Sequence, residues 1–400
     1  MAKIDDSVKK KVPELRFKGF TDEWEQRKLG DEVRIVMGQS PNSENYTDDP
    51  NDYILVQGNA DMKNGRVLPR VWTTQVTKQA EKDDLILSVR APVGDIGKTA
   101  YDVVIGRGVA AIKGNEFIFQ SLGKMKSDGY WTRYSTGSTF ESINSTDIKE
   151  AIISVPAIEE QDKIGSFFKQ LDKTITLHQR KLDLLKEQKK GYLQKMFPKN
   201  GAKVPELRFE GFTDDWEERK LGEVFNQTVE YINPNEANLE LWSVTVERGL
   251  TPKTARYNRE ALVKKNDKFK VVHDGDIVYN PMNLTIGAVG FNKSEKSVAV
   301  SGYYVTMNMN SGFNNSYFQT WLKSENAIKQ YKLYATGSLI EKQRVQFPTL
   351  SLIKSYIPTF EEQQKIGSFF KQLDETIALH QRKLDLLKEQ KKGFLQKMFV

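Results

Sequence analysis

The sequence contains no cysteine, few histidines and no long apolar run. The absence of cysteine excludes disulfides, thiolate metal sites and a cysteine nucleophile. The only histidines are His178, His273 and His380, so a histidine-rich metal centre is not expected. Because no run of about 18 apolar residues occurs, no membrane span is expected. The first residues also lack the apolar core of a secretion signal. We therefore expect a cytoplasmic protein with no membrane association.

The 400 residues carry a net charge of +7, but this charge is unevenly distributed. Residues 31–158 sum to −3, whereas residues 223–360 sum to +4. Net charge alone is therefore a poor argument for nucleic-acid binding in the first region. If that region binds DNA, it must gather its basic side chains on one face. The candidates there are Arg90, Lys98, Arg107 and Arg133.

A 39-residue segment occurs twice, as Glu159–Phe197 and Glu361–Phe399, with 35 positions identical. A shorter leader also repeats, since Val12–Gly30 and Val204–Gly222 agree at 16 of 19 positions. The sequences between leader and long repeat diverge strongly. The chain is therefore built from two units, each with a leader, a variable domain and a long repeat. Such duplication favours pseudo-two-fold packing.

Each long repeat has the heptad pattern of a coiled-coil helix. Steps of four and three residues give a seam of mainly apolar residues with charged residues between them. Each helix would be about 50 Å long at 1.5 Å per residue. Two such helices bury their stripes most economically on each other, antiparallel if the variable domains lie at opposite ends; the alternative is that each stripe packs on its own domain. The seam positions are Ile164, Phe168, Leu171, Ile175, His178, Leu182, Leu185, Lys189, Tyr192 and Met196, and Ile366, Phe370, Leu373, Ile377, His380, Leu384, Leu387, Lys391, Phe394 and Met398.

The variable domains mix short strands with helices, which predicts the α+β class. In the first domain we predict strands at Asp84–Val89, Asp102–Ile105, Val109–Ile112 and Ile152–Val155, and a helix at Asn115–Tyr134. In the second we predict strands at Glu240–Thr245, Asp276–Asn280 and Ser297–Met309, and a helix around Asn314–Tyr334. The predicted segments are residues 1–158, the first leader and domain; 159–199, the first coil and linker; 200–360, the second leader and domain; and 361–400, the second coil.

This alternation resembles the specificity subunit of Type I restriction–modification systems. The resemblance covers essentially the whole chain. It is carried by the Pro-x-x-x-Glu-Gln-x-x-Ile entry to each coil, the LDxxIxLHQRKLDLLKEQKKGxLQKMF coil body, the strand at Asp84–Val89, and a Thr-Gly-Ser segment in each domain. The second domain departs from the usual strand motif, with Tyr279-Asn280-Pro281 in place of a serine-rich turn.

The resemblance implies a non-catalytic subunit of an enzyme complex. Each variable domain would be a target recognition domain reading half of a bipartite DNA sequence, and the antiparallel helices would set the spacing. Because the domains differ, the target would be asymmetric. The helices would also dock two adenine methyltransferase subunits, and restriction (translocase/nuclease) subunits would join that core. S-adenosylmethionine, ATP and Mg²⁺ would belong to these partners, with no cofactor in this chain.

The Thr-Gly-Ser segments and their flanks are the first candidates for DNA contact. Glycine lets the backbone approach a phosphate, while hydroxyl and N–H groups are neutral phosphate donors. The alternative for these segments is an ordinary turn at a helix end, and for the remaining candidates a solvated surface. Beyond the four basic residues above, the DNA-binding candidates are Tyr134, Thr136, Gly137 and Ser138 in the first domain, and Asn280, Asn283, Lys332, Tyr334, Thr336, Gly337, Ser338 and Arg344 in the second.

Two other classes of function are weighed against this one. A self-contained methyltransferase or nuclease is disfavoured, because Asn280-Pro281-Met282-Asn283 lacks the aromatic that would stack on a flipped base. Residues 94–99, GDIGKT, also lack the spacing of a phosphate-binding Walker loop. A protein scaffold without DNA readout is disfavoured because a pure spacer has no use for two divergent domains.

Overall fold

The computed structural model describes residues 12–134, 142–199, 201–233, 238–253, 268–337 and 343–400. The chain divides into two compact units. Unit 1 comprises Met1–Gln179 together with Arg382–Val400, and unit 2 comprises Arg180–Gln381. Each unit therefore takes one end of each long helix. In the described part of the chain, no helix is both long enough and apolar enough to cross a membrane.

Unit 1 contains three sheets and the helices that cover them. The strands are β1 (Glu25–Lys28), β2 (Arg34–Met37), β3 (Tyr46–Thr47), β4 (Tyr53–Val56), β5 (Met62–Lys63), β6 (Arg66–Val67), β7 (Val71–Thr73), β8 (Gln79–Ala80), β9 (Leu85–Ser88), β10 (Ile96–Lys98), β11 (Val103–Ile105), β12 (Val109–Lys113) and β13 (Ile152–Val155). They form sheets with the strand orders β2-β12-β9-β10-β6-β5, β3-β7-β4-β11-β8 and β1-β13. The helices are α1 (Leu29–Glu32), α2 (Glu116–Ser127), α3 (Ser145–Lys149) and the first part of α4 (Ile158–Lys195).

Unit 2 repeats the central part of this plan. Its strands are β14 (Glu217–Lys220), β15 (Phe225–Thr228), β16 (Tyr231–Ile232), β17 (Trp242–Thr245), β18 (Gly249–Pro252), β19 (Phe269–Val272), β20 (Ile277–Tyr279), β21 (Val289–Phe291), β22 (Val298–Ser301), β23 (Val305–Met309) and β24 (Lys354–Ile357). They form sheets with the orders β15-β23-β20-β21, β16-β19-β22, β17-β18 and β14-β24. The helices are α5 (Leu221–Val224), α6 (Asn315–Trp321), α7 (Glu325–Tyr334), α8 (Phe347–Leu352) and α9 (Phe360–Met398), of which the first part belongs to this unit.

Three sequence-predicted elements are corrected by the structure. The helix expected at Asn115–Tyr134 ends at Ser127, because Gly129 adopts a φ of 72° and interrupts it before a 3₁₀ turn. The strand expected at Ser297–Met309 is two strands, β22 and β23, joined at Gly302-Tyr303-Tyr304. The helix expected around Asn314–Tyr334 is also two helices. The Ser324 side chain accepts a hydrogen bond from Ala327 N (3.2 Å) and begins the second of them.

The strand near the end of each leader pairs with the strand that precedes each coil. In unit 1, β1 and β13 pair over four residues from Glu25–Val155 to Lys28–Ile152. In unit 2, β14 and β24 pair over four residues in the corresponding register. The next residue extends both pairings, since Leu29 N donates to Ala151 O and Leu221 N donates to Ile353 O, each at 2.8 Å. Each variable domain is thus enclosed by the same two-stranded frame.

The predicted coil seam is confirmed, because all ten seam positions in each helix are buried or half-buried. Within unit 1 the two helical segments run antiparallel. Lys391 pairs with Asp172 at 2.7 Å, and towards the other end of the segment Lys388 donates to Gln179 at 3.4 Å. Within unit 2, Lys189 pairs with Asp374 at 2.5 Å.

The end of each coil fills the core of one unit. In unit 1, Phe399 stacks on Phe117 with ring centroids 5.1 Å apart. In unit 2, Phe197 lies 6.0 Å from Phe370 and 5.7 Å from Tyr317. Burial of one large aromatic side chain stabilises a core by roughly 1.5–3 kcal/mol. The coil ends are therefore integral parts of both units.

A buried ion pair fixes each leader to the start of a coil. Arg16 donates twice to Glu160 in unit 1, and Arg208 donates twice to Glu362 in unit 2, with all four distances at 2.7 Å. The carboxylate side chains are 1% and 0% exposed. Hydrogen bonding to the carboxylate raises the pKa of each arginine. These bidentate pairs anchor each repeat against its own domain.

Candidate nucleic-acid interface

In unit 1, two predicted basic residues lie on adjacent turns at one edge of the larger sheet. Ser88, the last residue of β9, pairs with Val109, the first residue of β12. Val89 N also donates to Gly108 O at 2.9 Å. This hydrogen bond places exposed Arg90 beside the turn that carries exposed Arg107. The two guanidinium groups therefore project from neighbouring loops.

Close backbone packing requires glycine at two positions around this turn, Gly38 and Gly108. A Cβ atom at Gly108 would lie 2.1 Å from Gln57 O, and one at Gly38 would lie 2.1 Å from Gly106 O. Arg107 N donates to Ser40 Oγ at 3.2 Å. The tight contacts fix three loops against one another and hold the Arg107 backbone in place.

The segment that follows the first Thr-Gly-Ser motif joins the same edge. Arg90 forms an isolated antiparallel bridge with Ser142, and Ile143 N donates to Val89 O at 3.0 Å. Thr136, Gly137 and Ser138 lie outside the described residues. The backbone of Arg133 and Tyr134 forms part of a 3₁₀ turn, and their side chains likewise lie outside the description.

Lys98 does not share the face with Arg90 and Arg107. It pairs with Leu85 at the other end of β9, and its ammonium donates to Glu116 at 2.9 Å. The expectation that four basic residues gather on one face is therefore wrong for Lys98. Lys98 follows Arg90 closely in the sequence. Because β10 runs antiparallel to β9, however, Lys98 lies at the opposite end of β9 from Arg90.

In unit 2, the loop after β20 has a fixed conformation. Asn280 Oδ1 accepts a hydrogen bond from Met282 N at 3.1 Å, and Asn280 O accepts one from Asn283 N at 3.0 Å. Val345 N donates to Pro281 O at 3.0 Å. The loop that contains Asn280 and Asn283 is thus joined to the segment that follows the second Thr-Gly-Ser motif.

An isolated antiparallel bridge joins the start of the second Thr-Gly-Ser motif to the segment that follows it. Thr336 and Arg344 exchange backbone hydrogen bonds of 3.0 and 2.9 Å, and Gly337 adopts a φ of 123°. Thr336, Gly337 and Arg344 are exposed. On the preceding helix, Lys332 is exposed and Tyr334 is half-buried, whereas Ser338 lies outside the described residues. The structure therefore brings the predicted Asn280 and Arg344 segments together.

Polar side chains that the sequence argument passed over lie in the second sheet of unit 1 and in its loops. Gln75 Oε1 accepts hydrogen bonds from Asn42 N (2.8 Å) and Asn45 Nδ2 (3.2 Å), and the Tyr46 hydroxyl lies 3.3 Å from Gln57 Oε1. Gln57 packs against the Arg107 turn. Asparagine and glutamine read adenine edges well. The amide-rich run from Gln39 to Tyr46 could have indicated this cluster.

The turn of unit 2 that corresponds to the Arg107 turn joins β22 to β23, and it carries Tyr303 and Tyr304 in place of an arginine. Tyr279 at the end of β20 pairs with Val305 at the start of β23. The loop that begins at Asn280 therefore lies beside Tyr304. Lys270 Nζ donates to Tyr304 O at 2.7 Å, and burial lowers the pKa of Lys270. Lys268 lies over the exposed Tyr231 ring at 5.4 Å. The two units therefore present different chemistry on the same strands.

A family model decides the classification. The model for the Type I restriction modification DNA specificity domain matches residues 21–187 and again residues 213–389. The chain belongs to this family. The match confirms the predicted family and the interpretation of the chain as a specificity component.

Known members of the family resemble this chain in sequence and in fold. The MjaX type I restriction enzyme specificity subunit of Methanocaldococcus jannaschii is 32% identical over 177 residues, which are 42% of this chain. The matched region spans about two fifths, 41%, of that relative's length.

The fold matches solved structures. The S subunit of a Type I restriction–modification system from M. genitalium has a TM-score of 0.67 at 16% identity, covering 97% of this chain and 99% of that one. A second chain, from a structure of type I system assembly and conformational transition, has a TM-score of 0.51 at 16% identity, covering 94% and 97%. These similarities confirm the predicted fold class of two mixed α+β domains with long helices.

Proposed function

We propose that this chain is the DNA-specificity subunit of a Type I restriction–modification complex and that its two domains read the two halves of an asymmetric target. One observation carries the proposal. The β2-β12-β9-β10 order in unit 1 and the β15-β23-β20-β21 order in unit 2 are the same, yet their exposed turns differ. A common frame with unlike loops suits two readers of unlike sequences.

The residue types at these loops match the chemistry of base edges. Arginine pairs best with guanine, and asparagine or glutamine with adenine. Arg90 and Arg107 in unit 1 are exposed on adjacent turns. The corresponding candidates for base contact in unit 2 are Asn280, Asn283 and Arg344. The Thr-Gly-Ser flanks supply phosphate contacts, which orient the protein without reading sequence. Two readers on one side of B-DNA would sit about 10 base pairs apart, so the half-sites are separated by an unspecified gap.

Replacing Arg107 with alanine should weaken binding to the target by about 1–3 kcal/mol, which is roughly 5- to 150-fold, if it contacts a base. The loss should relax sequence preference in one half-site and leave the other unchanged. Arg70→Ala is the control, because Arg70 is exposed in the same unit but pairs with Ala60 O and Asp61. Titration of duplexes with single-base changes measures both effects. Equal weakening on all duplexes would contradict base contact by Arg107.

Two methyltransferase subunits need two equivalent docking surfaces, and the coils supply them. Leu177 and Leu386 in unit 1 are 55% and 54% exposed. Leu184 and Leu379 in unit 2 are 52% and 61% exposed. In the antiparallel heptad register each pair lies at the same height and on the same side of its helical segments. Exposed leucine pairs on otherwise charged helices indicate protein contacts.

The double variant Leu177→Glu/Leu386→Glu should reduce the complex from two methyltransferase subunits per chain to one. The variant Leu184→Glu/Leu379→Glu should do the same, and the combination of all four should leave none. Burying a glutamate without a partner opposes docking, whereas the helix surface tolerates it. Native mass spectrometry measures the stoichiometry. Lys173→Glu is a matched control, because Glu375 already occupies that position in the second repeat; two subunits bound to either leucine variant would refute the docking surface.

The proposal is tested by mixing the purified chain with an adenine methyltransferase and a DNA library. The chain alone should transfer no methyl group, and the mixture should methylate adenine in one sequence motif. S-adenosylmethionine would be held by the methyltransferase, and ATP and Mg²⁺ by the restriction subunits. Methyl transfer by the chain alone would favour a self-contained enzyme, while a complex that binds no DNA would favour a scaffold.

A further inference from the structure

The turn between β22 and β23 carries an exposed tyrosine where unit 1 carries an arginine. Val109 begins β12 opposite the last residue of β9, and Val305 begins β23 opposite the last residue of β20. The residues that stand two positions before these valines are Arg107 and Tyr303. Tyr303 therefore occupies the position in the sheet of the residue to which we assign base contact in unit 1.

Backbone hydrogen bonds hold the Tyr303 turn in one conformation. Tyr304 N donates to Ser301 O at 3.0 Å, and Gly302 N donates to Lys268 O at 2.8 Å. A Cβ atom at Gly302 would lie 2.4 Å from Lys268 O, so a larger residue would push the two segments apart. Tyr303 is thus presented on a main chain that needs no further ordering when a ligand binds.

A buried ammonium supports this turn from inside unit 2. Lys270 is only 6% exposed, and its Nζ donates to Tyr304 O at 2.7 Å. The same Nζ lies 5.7 Å from the centroid of the Tyr231 ring. The described partners of this ammonium are therefore a carbonyl and an aromatic face, neither of which carries a full negative charge. The surroundings of the turn stay positive, which suits a polyanion.

The surface beside the turn combines aromatic rings with positive charge. Tyr231 and Tyr303 are 55% and 41% exposed. Exposed Lys268 lies over the Tyr231 ring, with its Nζ 5.4 Å from the ring centroid. The ring of Tyr304 meets that of Tyr303 edge to face, with centroids 6.5 Å apart. Surfaces on which rings and ammonium groups alternate are typical of proteins that bind nucleic acids.

Strand register places Tyr303 at the same end of the sheet as the Asn280 loop. Tyr279 and Val305 pair directly, so Asn280 and Tyr304 are the next residues of two neighbouring strands. Tyr303 follows one residue further along the same turn. The ring is therefore located beside the loop that carries the other candidates for base contact in unit 2.

We infer that Tyr303 contacts the 5-methyl group of a thymine in the half-site read by unit 2. This inference rests on the proposed function and names the base that one residue of the second domain recognises. A tyrosine lacks the paired donors with which arginine reads guanine, but its ring presents an apolar surface that suits the thymine methyl in the major groove. Lys268 beside it attracts the DNA backbone without reading sequence.

The test replaces each thymine of the mapped second half-site in turn by uracil, which lacks only the methyl group. At one position the intact wild-type complex should bind the uracil duplex about fourfold more weakly, the effect expected for one buried methyl group. Tyr303→Ala should bind the thymine and uracil duplexes equally at that position. Tyr303→Phe should keep the difference because the ring remains. Tyr303→Arg should change the preferred base pair there from T·A to G·C.

Tyr53→Ala is the matched control for Tyr303→Ala. Tyr53 is 51% exposed and begins β4, whereas Val56 at the other end of β4 accepts a hydrogen bond from Gly106 of the Arg107 turn. The control therefore removes an exposed tyrosine from the opposite end of a sheet. It should leave both the affinity and the uracil effect unchanged.

The comparison of thymine with uracil in the wild-type complex does not depend on the folding of any variant. A second half-site without a T·A pair, or uracil duplexes that bind as tightly as thymine at every position, would overturn the inference while the proposed function stands. So would an equal uracil effect in the wild type and in Tyr303→Ala. Loss of the effect in Tyr303→Phe would assign the contact to the hydroxyl and overturn the methyl contact. A complex that binds no DNA would overturn both.

Discussion

A chain in which residues 29–155 replace residues 221–357 should direct methylation to a symmetric target made of two inverted copies of one half-site. The frame makes this exchange feasible, because β1–β13 and β14–β24 pair in corresponding registers and each is extended by the same hydrogen bond from a leucine. Both junctions therefore fall where the two units share backbone geometry. Sequencing of modified adenines measures the result.

The reverse exchange is the matched control for the first. Residues 221–357 placed at 29–155 should produce a symmetric target made of the other half-site. Together the two targets should contain all the specified bases of the natural target. A chimaera that folds, binds methyltransferase and keeps the natural asymmetric target would refute the assignment of one half-site to each domain.

Arg208→Ala should reduce the free energy of unfolding of unit 2 by about 3–5 kcal/mol, the typical effect of removing one partner from a buried ion pair. Glu362 is fully buried and accepts two hydrogen bonds from Arg208, so the substitution leaves a buried carboxylate with Trp216 Nε1 at 3.1 Å as its remaining donor. Urea unfolding followed by tryptophan fluorescence measures the change.

Two variants test this explanation. Arg219→Ala removes an exposed arginine that pairs with Glu217 and Glu223, and it should change stability by less than about 1 kcal/mol. The double variant Arg208→Met/Glu362→Met should be more stable than Arg208→Ala, because no buried charge remains. An equal loss in Arg208→Ala and Arg219→Ala would contradict the buried-charge explanation.

The sequence could predict the coil and the frame because both are repeated. The heptad pattern identified all ten seam positions of each helix, and Ile152–Val155 was predicted with its observed bounds. Such features depend on local periodicity, which can be read from residue type alone. The coil ends are different. That Phe399 enters the core of unit 1 depends on contacts almost 300 residues apart, which no local pattern contains.

The candidate interface was predictable only in part, because loop direction decides which side chains come together. Arg90 and Arg107 are adjacent because β9 and β12 are neighbours in one sheet. Lys98 is nearer to Arg90 along the chain, yet it lies at the far end of β9.

Mapping of modified adenines in DNA from cells that express this chain with its methyltransferase tests the central claim most directly. Two unlike readers on one frame should produce a single motif with two different half-sites of a few base pairs, separated by a fixed number of unspecified positions. One uninterrupted palindrome, or a motif that survives replacement of an entire variable domain, would contradict the account.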